Sequence, residues 1–590
     1  MCGIYGVVMR GDGAAEKTYA GLERLEYRGY DSAGISVLNG GKILTVKSAG
    51  RVANIRDTAL KFAGKIAIGH TRWATHGQPT DKNAHPHFTQ KFSVVHNGII
   101  ENYRELKEEL TAQNVEFSSD TDSEVIVKLI DLYYDGDALK AVKKAVGRLK
   151  GSYALAVLCR DFNGVIAVKY KSPVVVGFAE GETVLCSDVP ALPQCVKTMS
   201  VPQDDDIIVI TEGNVKFYDS ELNPVDRVRR PVFLEQFAVG KGGYPHYMVK
   251  EINESERTVT QTVDDFFRYV DVGRLSELAR GADRIIITGC GTAYNAGLLA
   301  KRFFKENCGV YCSAEIASEL RYSEVFVTKA TLVLAVSQSG ETADTVEAVL
   351  ALKNAGATVV AITNCGYSAI TRAAHITVPV SAGAEVCVAA TKSYLGQLAA
   401  LYLIANLISD VSKAREELLK VAGLIPKVIS SKESADKISA LCVKSKAVFF
   451  LGRAIDYAVA VEASLKLKEV SYVFSDGYPA GELKHGTLAL IDEDTLSVIV
   501  ICDKTLAEKC KNAASQVSSR KGKVAVITTI EEVAQDLKND AEVWLLPECE
   551  ACLSPFLSAV ALQLIAYKTA VALGRDPDKP RNLAKSVTVE

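Results

Sequence analysis

The second half of the 590-residue chain carries one pattern twice, and this repeat limits the possible folds more than any other feature. A buried-looking strand that ends in glycine occurs at residues 284–289 and again at 447–452. Each is followed by a tyrosine and then by a Lys-Glu pair at matching distances, namely Tyr294, Tyr457, Lys305-Glu306 and Lys468-Glu469. Later strands also correspond: 332–336 with 497–501, and 359–363 with 524–528. This strand–helix alternation predicts a doubly wound parallel α/β sheet, built twice.

The composition excludes several classes of protein. Apolar residues make up 48% and charged residues 24%, which is ordinary for a globular chain, and the length predicts roughly three or four domains. A net charge of −3 argues against a general nucleic-acid binder. Neither a signal peptide nor an apolar run of about 20 residues is seen, so we expect a cytoplasmic protein without a membrane span. The fourteen scattered cysteines suit a reducing compartment.

The first copy of the repeat contains a candidate anion site. Ser337, Gln338, Ser339 and Thr342 follow a predicted strand and precede a predicted helix at 343–355. Hydroxyl and backbone N–H groups at such a position bind anions, although a simple capping box explains the same residues. The glycine turn that ends at Thr292 is expected to line the same pocket. Neither phosphate-loop nor dinucleotide motifs occur, which disfavours nucleotides.

The second copy has Cys502-Asp503-Lys504-Thr505 in place of that loop and carries different candidates. Glu462, Lys466 and Glu469 are spaced so that they share one face of a helix. They form either a functional cluster or a solvated stripe of ion pairs. His485 stands between glycines in the segment 480–486, where it is either a mobile acid–base or part of a surface loop.

The N-terminus offers a nucleophile. If Met1 is removed, Cys2 carries both a thiol and a free α-amine that titrates near pH ~8 and is able to take the thiol proton. The thiolate is suited to attack on an amide. Without further motifs, a cysteine at this position is better explained as an accident.

Three later segments supply polar candidates for the same site. The segment 70–77 is predicted to be a loop in which Arg72 holds a carboxylate and Trp73 closes over a small ligand. Asn97 and Gly98 are either oxyanion donors or an Asn-Gly hairpin turn. Asp122 is either a helix cap, as is Asp120, or the reader of a substrate ammonium. Five histidines fall within 27 positions, but their spacing matches no metal motif, so we predict no metal site.

The motifs MCGI, YRGYDSAG, HTRWATHG and HNGI, followed by the Asp122 segment, resemble the class II glutamine amidotransferases in their order. The resemblance implies an N-terminal-nucleophile αββα glutaminase sandwich. It implies that Cys2 attacks the glutamine amide with its α-amine as base, while Asn97 and Gly98 form the oxyanion hole. The implied glutamine-binding residues are Arg28, Arg72, Trp73, Thr75, His76 and Asp122.

Both copies of the repeat resemble sugar isomerase (SIS) domains, which bind phosphosugars. With the segment ELKHG and the terminal sequence RNLAKSVTVE, the chain resembles the amidotransferases that aminate fructose 6-phosphate. The implied substrates are L-glutamine and fructose 6-phosphate, in the first step of hexosamine synthesis, with no metal or redox cofactor. The implied sugar-phosphate-binding residues are Thr292, Ser337, Gln338, Ser339, Thr342, Val388 and Ala584.

The same resemblance implies the chemistry on the sugar. Lys585 forms a Schiff base, His485 reaches in from a neighbouring subunit and opens the ring, and Glu469 moves the proton with Lys466 nearby. A homodimer is therefore expected. Ala293 and Ala390 stand where serines are common in this family, which puts sugar affinity in doubt. The rival interpretations are another class II amidotransferase, such as the phosphoribosyl-diphosphate enzyme, and a sugar-phosphate-sensing regulator with a vestigial glutaminase.

The expected domain boundaries follow from these motifs. They are a glutaminase at 2–221, a linker at 222–250, SIS domains at 251–414 and 437–580, and a catalytic tail at 581–590.

Overall fold

The computed structural model describes residues 2–74, 76–232 and 240–588. Contacts divide the chain into two compact units. One comprises Met1–Val239 with Ala584–Glu590, and the other comprises Gly240–Leu583. Thr75 lies outside the described residues. Residues 233–239, which are part of the expected linker, also lie outside them.

The first unit contains two antiparallel sheets with helices on their outer faces. Its strands are β1 Gly3–Met9, β2 Ser32–Asn39, β3 Lys42–Ala49, β4 Ile66–Arg72, β5 His87–Phe88, β6 Phe92–Ile100, β7 Gly151–Cys159, β8 Phe162–Tyr170, β9 Val175–Ala179, β10 Glu182–Cys186, β11 Thr198–Ser200, β12 Asp206–Thr211, β13 Asn214–Tyr218, β14 Pro224–Val225 and β15 Arg230–Pro231. Its helices are α1 Ala14–Leu25, α2 Arg56–Ala59, α3 Tyr103–Ala112, α4 Glu124–Leu132 and α5 Ala138–Val146. Within the described residues one sheet has the order β15-β11-β9-β10-β1-β4-β2-β3 and the other β14-β13-β12-β8-β7-β6-β5.

The central strand β1 shows why these layers form. Ile4 and Val8 pack into the core between the two sheets, whereas Tyr5 and Val7 pack beneath α1. Successive side chains of a strand point to opposite faces, so an unbroken apolar run is what a strand buried on both faces requires. The predicted αββα sandwich is confirmed, and β1 places Cys2 at the end of its central layer.

The second unit contains two parallel sheets flanked by helices. Its strands are β16 Arg284–Gly289, β17 Cys312–Ile316, β18 Thr331–Ser337, β19 Thr358–Thr363, β20 Ile376–Pro379, β21 Ala447–Gly452, β22 Ser475–Pro479, β23 Thr495–Ile501, β24 Lys523–Thr528 and β25 Glu542–Leu545. Its helices are α6 Tyr247–Asn253, α7 Ser255–Tyr269, α8 Val272–Gly281, α9 Thr292–Asn307, α10 Ala317–Leu320, α11 Ala343–Asn354, α12 Ala369–Ala373, α13 Lys392–Ala405, α14 Val411–Ala422, α15 Ile425–Ser430, α16 Lys432–Val443, α17 Ile455–Ser471, α18 Ala507–Ser518, α19 Glu531–Leu537 and α20 Ser554–Ala572.

The two parallel sheets have the same topology. Their orders are β17-β16-β18-β19-β20 and β22-β21-β23-β24-β25, so each chain path reverses between its first and third strands. The predicted doubly wound repeat is confirmed. Since ligands bind such sheets outside the carboxyl ends of the strands at the reversal, the loops after β16 and β18 and those after β21 and β23 are the positions to inspect.

Helix α20 is the one described helix long and apolar enough to cross a membrane by length and composition. It packs against α16 and α17, and 78% of its most apolar window is buried inside the protein. Burial in the core of the second unit therefore accounts for its apolar character.

The repeat extends to the backbone angles of the turn before each long helix. Gly291 precedes α9 with φ 54° and ψ −128°, and Ala454 precedes α17 with φ 50° and ψ −115°. This region is open to glycine but strained for any residue with a Cβ atom. The fold therefore imposes the same turn on both copies, although the second copy has a side chain there.

We expect Ala454→Gly to stabilise the second unit by about 1 kcal/mol. It relieves about 1–3 kcal/mol of backbone strain and loses about 0.4–1 kcal/mol through the freer unfolded chain. Urea unfolding in a Trp73→Phe background measures this, because the remaining tryptophan, Trp544, is buried in strand β25 and reports the second unit.

The matched control is Gly291→Ala, which introduces the strained residue into the first copy. No atom lies within 4 Å of the added Cβ, so strain alone is expected to destabilise this variant by about 1–2 kcal/mol. Equal and unchanged unfolding midpoints for both variants would contradict the assignment of strain to Ala454.

Candidate active sites of the two units

Cys2 lies at the start of β1 and its thiol is held by one backbone segment. The Trp73 N–H donates to Sγ at 3.4 Å, and the thiol donates to the Trp73 carbonyl at 3.6 Å. Burial raises the pKa of the Cys2 thiol, while the charge of the N-terminal amine and of Arg72 opposes that shift. A nucleophile in this setting needs a local base to remove its proton.

Asn97 and Gly98 lie inside β6, which pairs with β7 through both positions. The alternative of an Asn-Gly hairpin turn is therefore wrong. Asn97 Nδ2 donates to the carbonyl oxygen of Cys2 at 3.0 Å, which places its amide beside the nucleophile. Gly98 has φ 134°, and a Cβ atom there would meet the Ser152 carbonyl oxygen at 1.9 Å. Only glycine fits at this approach.

Arg72 ends β4, so the predicted loop starts later than expected. Its guanidinium donates to the carbonyl oxygens of His76, Gly77 and Gln78, and burial lowers its pKa. His76 is half-buried in the same loop, with its ring edge-on to Tyr103.

Asp122 is buried and does not cap a helix. Its carboxylate accepts the Ile100 N–H at 2.8 Å and the Ser123 hydroxyl at 3.3 Å. The N-cap residue of α4 is Ser123, with no side-chain cap, so the capping alternative is wrong for Asp120 and Asp122. This buried carboxylate near the end of β6 is suited to binding a cation.

Arg28 is buried against the same strand end. It forms an ion pair with Asp188, and its Nε donates to the Cys2 carbonyl oxygen at 3.3 Å. The structure thus brings Arg28, Trp73 and Asn97 together around Cys2. Among residues 2–74, 76–232 and 240–588, no group of three or more His, Cys, Asp or Glu side chains that could hold a metal ion is found.

The predicted anion loop of the first copy of the repeat lies at the carboxyl end of β18. Ser337 Oγ lies 3.3 Å from Thr342 Oγ1 and accepts the Gly340 N–H at 3.0 Å, and Ser339 Oγ accepts the Glu341 N–H. Thr342 makes no side-chain cap on α11, so the capping box is not formed. The Gln338 carbonyl accepts the Asn364 N–H at 3.2 Å and the Thr363 hydroxyl at 3.3 Å.

A buried charge cluster joins the two copies of the repeat. Lys466 is 1% exposed, and its Nζ lies 2.6 Å from Glu469, 3.5 Å from Glu462 and 2.9 Å from Thr292 Oγ1. Glu462 also accepts from Thr292 at 3.0 Å and from Asn295 at 2.8 Å. The two carboxylates raise the pKa of Lys466 against the effect of burial. The alternative of a solvated stripe is therefore wrong.

Two buried carboxylates hold the segment that contains Val388. Glu251 Oε1 accepts the N–H groups of Val386 and Cys387, and Glu385 accepts the N–H groups of Thr391 and Ser393. The Val388 N–H itself donates to the Asp578 carbonyl at 3.1 Å. This loop is thus fixed from both ends, with Val388 buried and Ala390 half-buried.

The remaining predicted residues differ in their exposure. His485 is exposed after a short 3₁₀ turn, Glu482–Lys484. No hydrogen bond or ion pair within the described chain joins it to Lys466 or Glu469. Lys585 and Ala584 are half-buried in the tail that groups with the first unit. Ala293 is nearly buried in α9.

Sequence reasoning missed Asn295, Glu251 and Glu385, and it named Glu462 only as a member of the charged helix face, without a role of its own. Glu462 had the correct helical spacing to Lys466 and was visible by that signal. Asn295 and Glu251 act through partners far along the chain, and Glu385 accepts from nearby residues of an irregular segment, so no local pattern marks any of the three.

The carboxyl end of the second parallel sheet carries different side chains from the carboxyl end of the first. Asp456, in the first turn of α17, is 1% exposed; one carboxylate oxygen accepts the Cys502 N–H at 2.9 Å and the other has no partner among the described residues. Burial raises the pKa of Asp456 to about 7, against the effect of the backbone N–H groups. A carboxylate here disfavours an anion, consistent with the absence of the serine-rich loop from this copy.

Family models match both parts of the chain. A glutamine amidotransferase domain matches residues 70–194, and an SIS domain matches residues 278–407 and 442–573.

Curated relatives align over the whole chain. The glutamine–fructose-6-phosphate aminotransferase (isomerizing) of Aquifex aeolicus is 42% identical and that of Clostridium acetobutylicum is 40% identical, each covering 100% of both chains.

Among solved structures, the C-terminal domain of glucosamine-fructose-6-phosphate aminotransferase from Francisella tularensis matches with a TM-score of 0.55 at 35% identity, covering 58% of this chain and 100% of that one. Tagatose-6-phosphate ketose/aldose isomerase from Escherichia coli matches with a TM-score of 0.50 at 16% identity, covering 58% of this chain and 96% of that one, which shows a shared fold.

The burial of Asp456 predicts a pH-dependent stability. Its pKa is higher in the folded than in the unfolded protein, so the folded state binds the extra proton and loses stability as pH rises from about 4 to about 7. We expect Asp456→Asn to gain up to about 3 kcal/mol over the wild type between pH 5 and pH 8. Urea unfolding at both pH values in the Trp73→Phe background, followed by Trp544 fluorescence, measures the gain.

Asp456→Ala is the control for the hydrogen bond. It removes the charge and also the acceptor of the Cys502 N–H, so it is expected to be less stable than Asp456→Asn at both pH values. The difference in free energy of unfolding between wild type and Asp456→Asn must grow with pH if a buried charge causes it. A difference that is independent of pH would refute that cause.

Proposed function

Because the chain belongs to the glutamine–fructose-6-phosphate aminotransferases (isomerizing), we propose that its two units perform successive halves of one reaction. The enzyme converts L-glutamine and D-fructose 6-phosphate to L-glutamate and D-glucosamine 6-phosphate. The observation that carries the sugar half is the buried cluster around Lys466. A sugar-phosphate-sensing regulator is not favoured, since relatives that match over the full length carry the name of the enzyme.

In the first half, Cys2 attacks the side-chain amide carbon of glutamine. After Met1 is removed, the α-amine of Cys2 takes the thiol proton and later passes it to the departing nitrogen, so that ammonia leaves and a thioester remains. Water then hydrolyses the thioester to glutamate. Asn97 Nδ2 and the Gly98 N–H donate to the oxyanion, which is supported by the contact of Asn97 with the Cys2 main chain.

The glutamine is held at its amino-acid end by opposite charges. Arg72 binds the α-carboxylate and exchanges its present carbonyl partners for a charged one, which is the stronger acceptor. Asp122 binds the α-ammonium, with Thr75 and His76 completing the pocket. Arg28 holds the Cys2 carbonyl and so fixes the nucleophile, and Trp73 gates the passage of ammonia.

In the second half, the phosphate of the sugar binds the loop Ser337–Thr342. Ser337, Gln338, Ser339 and Thr342 supply hydroxyl and backbone donors at the start of α11. Thr292, Val388 and Ala584 surround the sugar. The position of Thr292 supports this assignment, because its hydroxyl connects the glycine turn of the first copy to Lys466 of the second.

The chemistry on the sugar uses four side chains. His485 opens the ring, Lys585 condenses with the C2 ketone and releases water, and ammonia displaces the lysine. Glu469 then carries one proton from C1 to C2, which converts the imine to the 2-amino aldose. Lys466 Nζ, 2.6 Å from Glu469, fixes that carboxylate in place.

The enzyme is a cytoplasmic homodimer in which His485 serves the neighbouring subunit. Two features support this: His485 is exposed, and large apolar side chains next to its strand and turn, Phe474 and Leu490, are 62% and 55% exposed. Exposed apolar groups of this size are typical of a protein interface.

We expect wild-type protein whose intact mass shows loss of Met1 to form glutamate and glucosamine 6-phosphate in equal amounts. Cys2→Ala lacks the nucleophile, so its glutamine-dependent formation of both products is expected to fall by at least about 10³-fold. Simultaneous measurement of both products from glutamine and fructose 6-phosphate provides the test.

Cys195→Ala removes an exposed thiol of the same unit and is expected to leave both rates unchanged. Glutamate formation by Cys2→Ala at the wild-type rate would refute the nucleophile. Glutamate without hexosamine phosphate from the wild type would refute the sugar half alone.

Mixed dimers test whether His485 is shared. His485→Ala and Glu469→Gln subunits are each expected to be inactive as homodimers. If His485 acts across the interface, a purified heterodimer has one site with both defects and one intact site, so about half of the wild-type activity returns. Two tags allow the heterodimer to be isolated and assayed for hexosamine phosphate.

A heterodimer of His485→Ala with wild type is the matched control and is expected to retain one intact site. If His485 acts within its own subunit, each site of the test heterodimer carries one defect. No recovery of activity would then overturn sharing, while the proposed roles of His485 and Glu469 would stand.

A further inference from the structure

The glutaminase unit contains a cluster of buried histidines that the proposed mechanism does not use. His70, His85, His87 and His96 are each at most 3% exposed. The ring centroids of His70 and His85 are 4.1 Å apart, and those of His85 and His87 are 4.6 Å apart. One member of this cluster contacts a residue of the reaction site directly.

That member is His70, and its contacts identify the protonated nitrogen. Nε2 lies 2.9 Å from the His96 carbonyl oxygen and 3.1 Å from Asn97 Oδ1. Both partners are acceptors, so Nε2 must carry the hydrogen and donate to them. Burial lowers the pKa of His70 to about 3, so the ring stays neutral and keeps this single donor at working pH.

This bond determines which way the Asn97 amide points. Oδ1 faces the donor on His70, so the NH2 group faces Cys2, where one N–H reaches the Cys2 carbonyl oxygen at 3.0 Å. The second N–H of the group is then left for the oxyanion. A flipped amide would set Oδ1 against the Cys2 carbonyl and NH2 against the donor on His70, which places like groups together at both ends.

We propose that His70 is a positioning residue that fixes the Asn97 amide with its donors toward the oxyanion. The inference rests on the proposed function, because it concerns the oxyanion hole assigned there. His70 touches neither glutamine nor the thiol and acts through Asn97 alone.

Two substitutions at His70 separate the hydrogen bond from packing. His70→Leu removes the donor and keeps an apolar side chain in the pocket. His70→Gln restores an N–H near the position of Nε2. His85→Phe is the matched control, because the His85 ring packs on His70, is equally buried, and has no hydrogen-bond partner on either ring nitrogen among the described residues.

Comparison of KM with kcat separates an effect on glutamine binding from an effect on the transition state. Loss of one oxyanion donor costs about 10²–10³ in kcat, so we expect His70→Leu to lower the kcat of glutamine hydrolysis by about 10–100-fold with little change in KM. His70→Gln is expected to recover most of the loss, and His85→Phe to resemble the wild type.

A tetrahedral analogue gives an independent measurement. In glutamate γ-semialdehyde the Cys2 sulfur adds to the aldehyde carbon, the carbonyl π electrons move to oxygen, and the thiol proton passes to the α-amine. The adduct places its oxygen in the oxyanion hole. Glutamate binds the same pocket without forming a covalent adduct. We expect His70→Leu to lose affinity for the aldehyde by the same factor as kcat/KM and to keep its affinity for glutamate.

Asn97→Ala distinguishes failure of the inference from failure of the proposed function. If Asn97→Ala loses about 10²-fold in kcat and His70→Leu stays within about threefold of wild type, the positioning role is overturned and the oxyanion hole stands. If Asn97→Ala itself leaves kcat unchanged, the proposed oxyanion role fails. Equal losses of aldehyde and glutamate affinity in His70→Leu would assign it a structural role instead.

Discussion

The burial of the Lys466 ammonium between Glu462 and Glu469 is the constraint on which the second unit depends. Removing such charges from water costs several kcal/mol per ion, and the cost is offset only where every charge has close partners. Neither SIS copy supplies enough of them. Helix α17 brings the three charged groups, and α9 of the other copy brings the hydroxyl of Thr292 and the amide of Asn295. The two copies must therefore pack through these equivalent helices to satisfy the cluster.

The residues of the glutaminase site are likewise divided between two packed layers, the two antiparallel sheets. Cys2 lies at the start of β1 in one sheet, while Asn97 and Gly98 lie in β6 of the facing sheet. The distance between nucleophile and oxyanion donors therefore depends on the register of both sheets and on the core between them. A site built from strand ends in two packed layers is held more firmly than one built from a single loop.

Much of this arrangement could be predicted from the sequence, because it follows from local rules. Strands that end in glycine and alternate with helices predict the parallel sheets, and Ser337 and Thr342 follow from their position at a strand end. The Asn97-Gly98 pair was ambiguous, since its pairing with β7 is formed by residues more than 50 positions away. Glu251 and Glu385 were not predictable at all. They accept backbone N–H groups of a distant or irregular segment, and no sequence pattern encodes such partners.

The ends of the two parallel sheets show how one fold carries two tasks. Each copy makes the same turn before its long helix, with Gly291 in one and Ala454 in the other. After β18 the first copy has the hydroxyl-rich loop, whereas after β23 the second copy has Cys502 and Asp503 beside the buried Asp456. Strain at Ala454 and a carboxylate oxygen of Asp456 with no partner among the described residues both occur in the copy that lacks the serine-rich loop. The turn is thus dictated by the sheet and helix that it connects, and the second copy contributes instead through the face of α17 that carries Lys466.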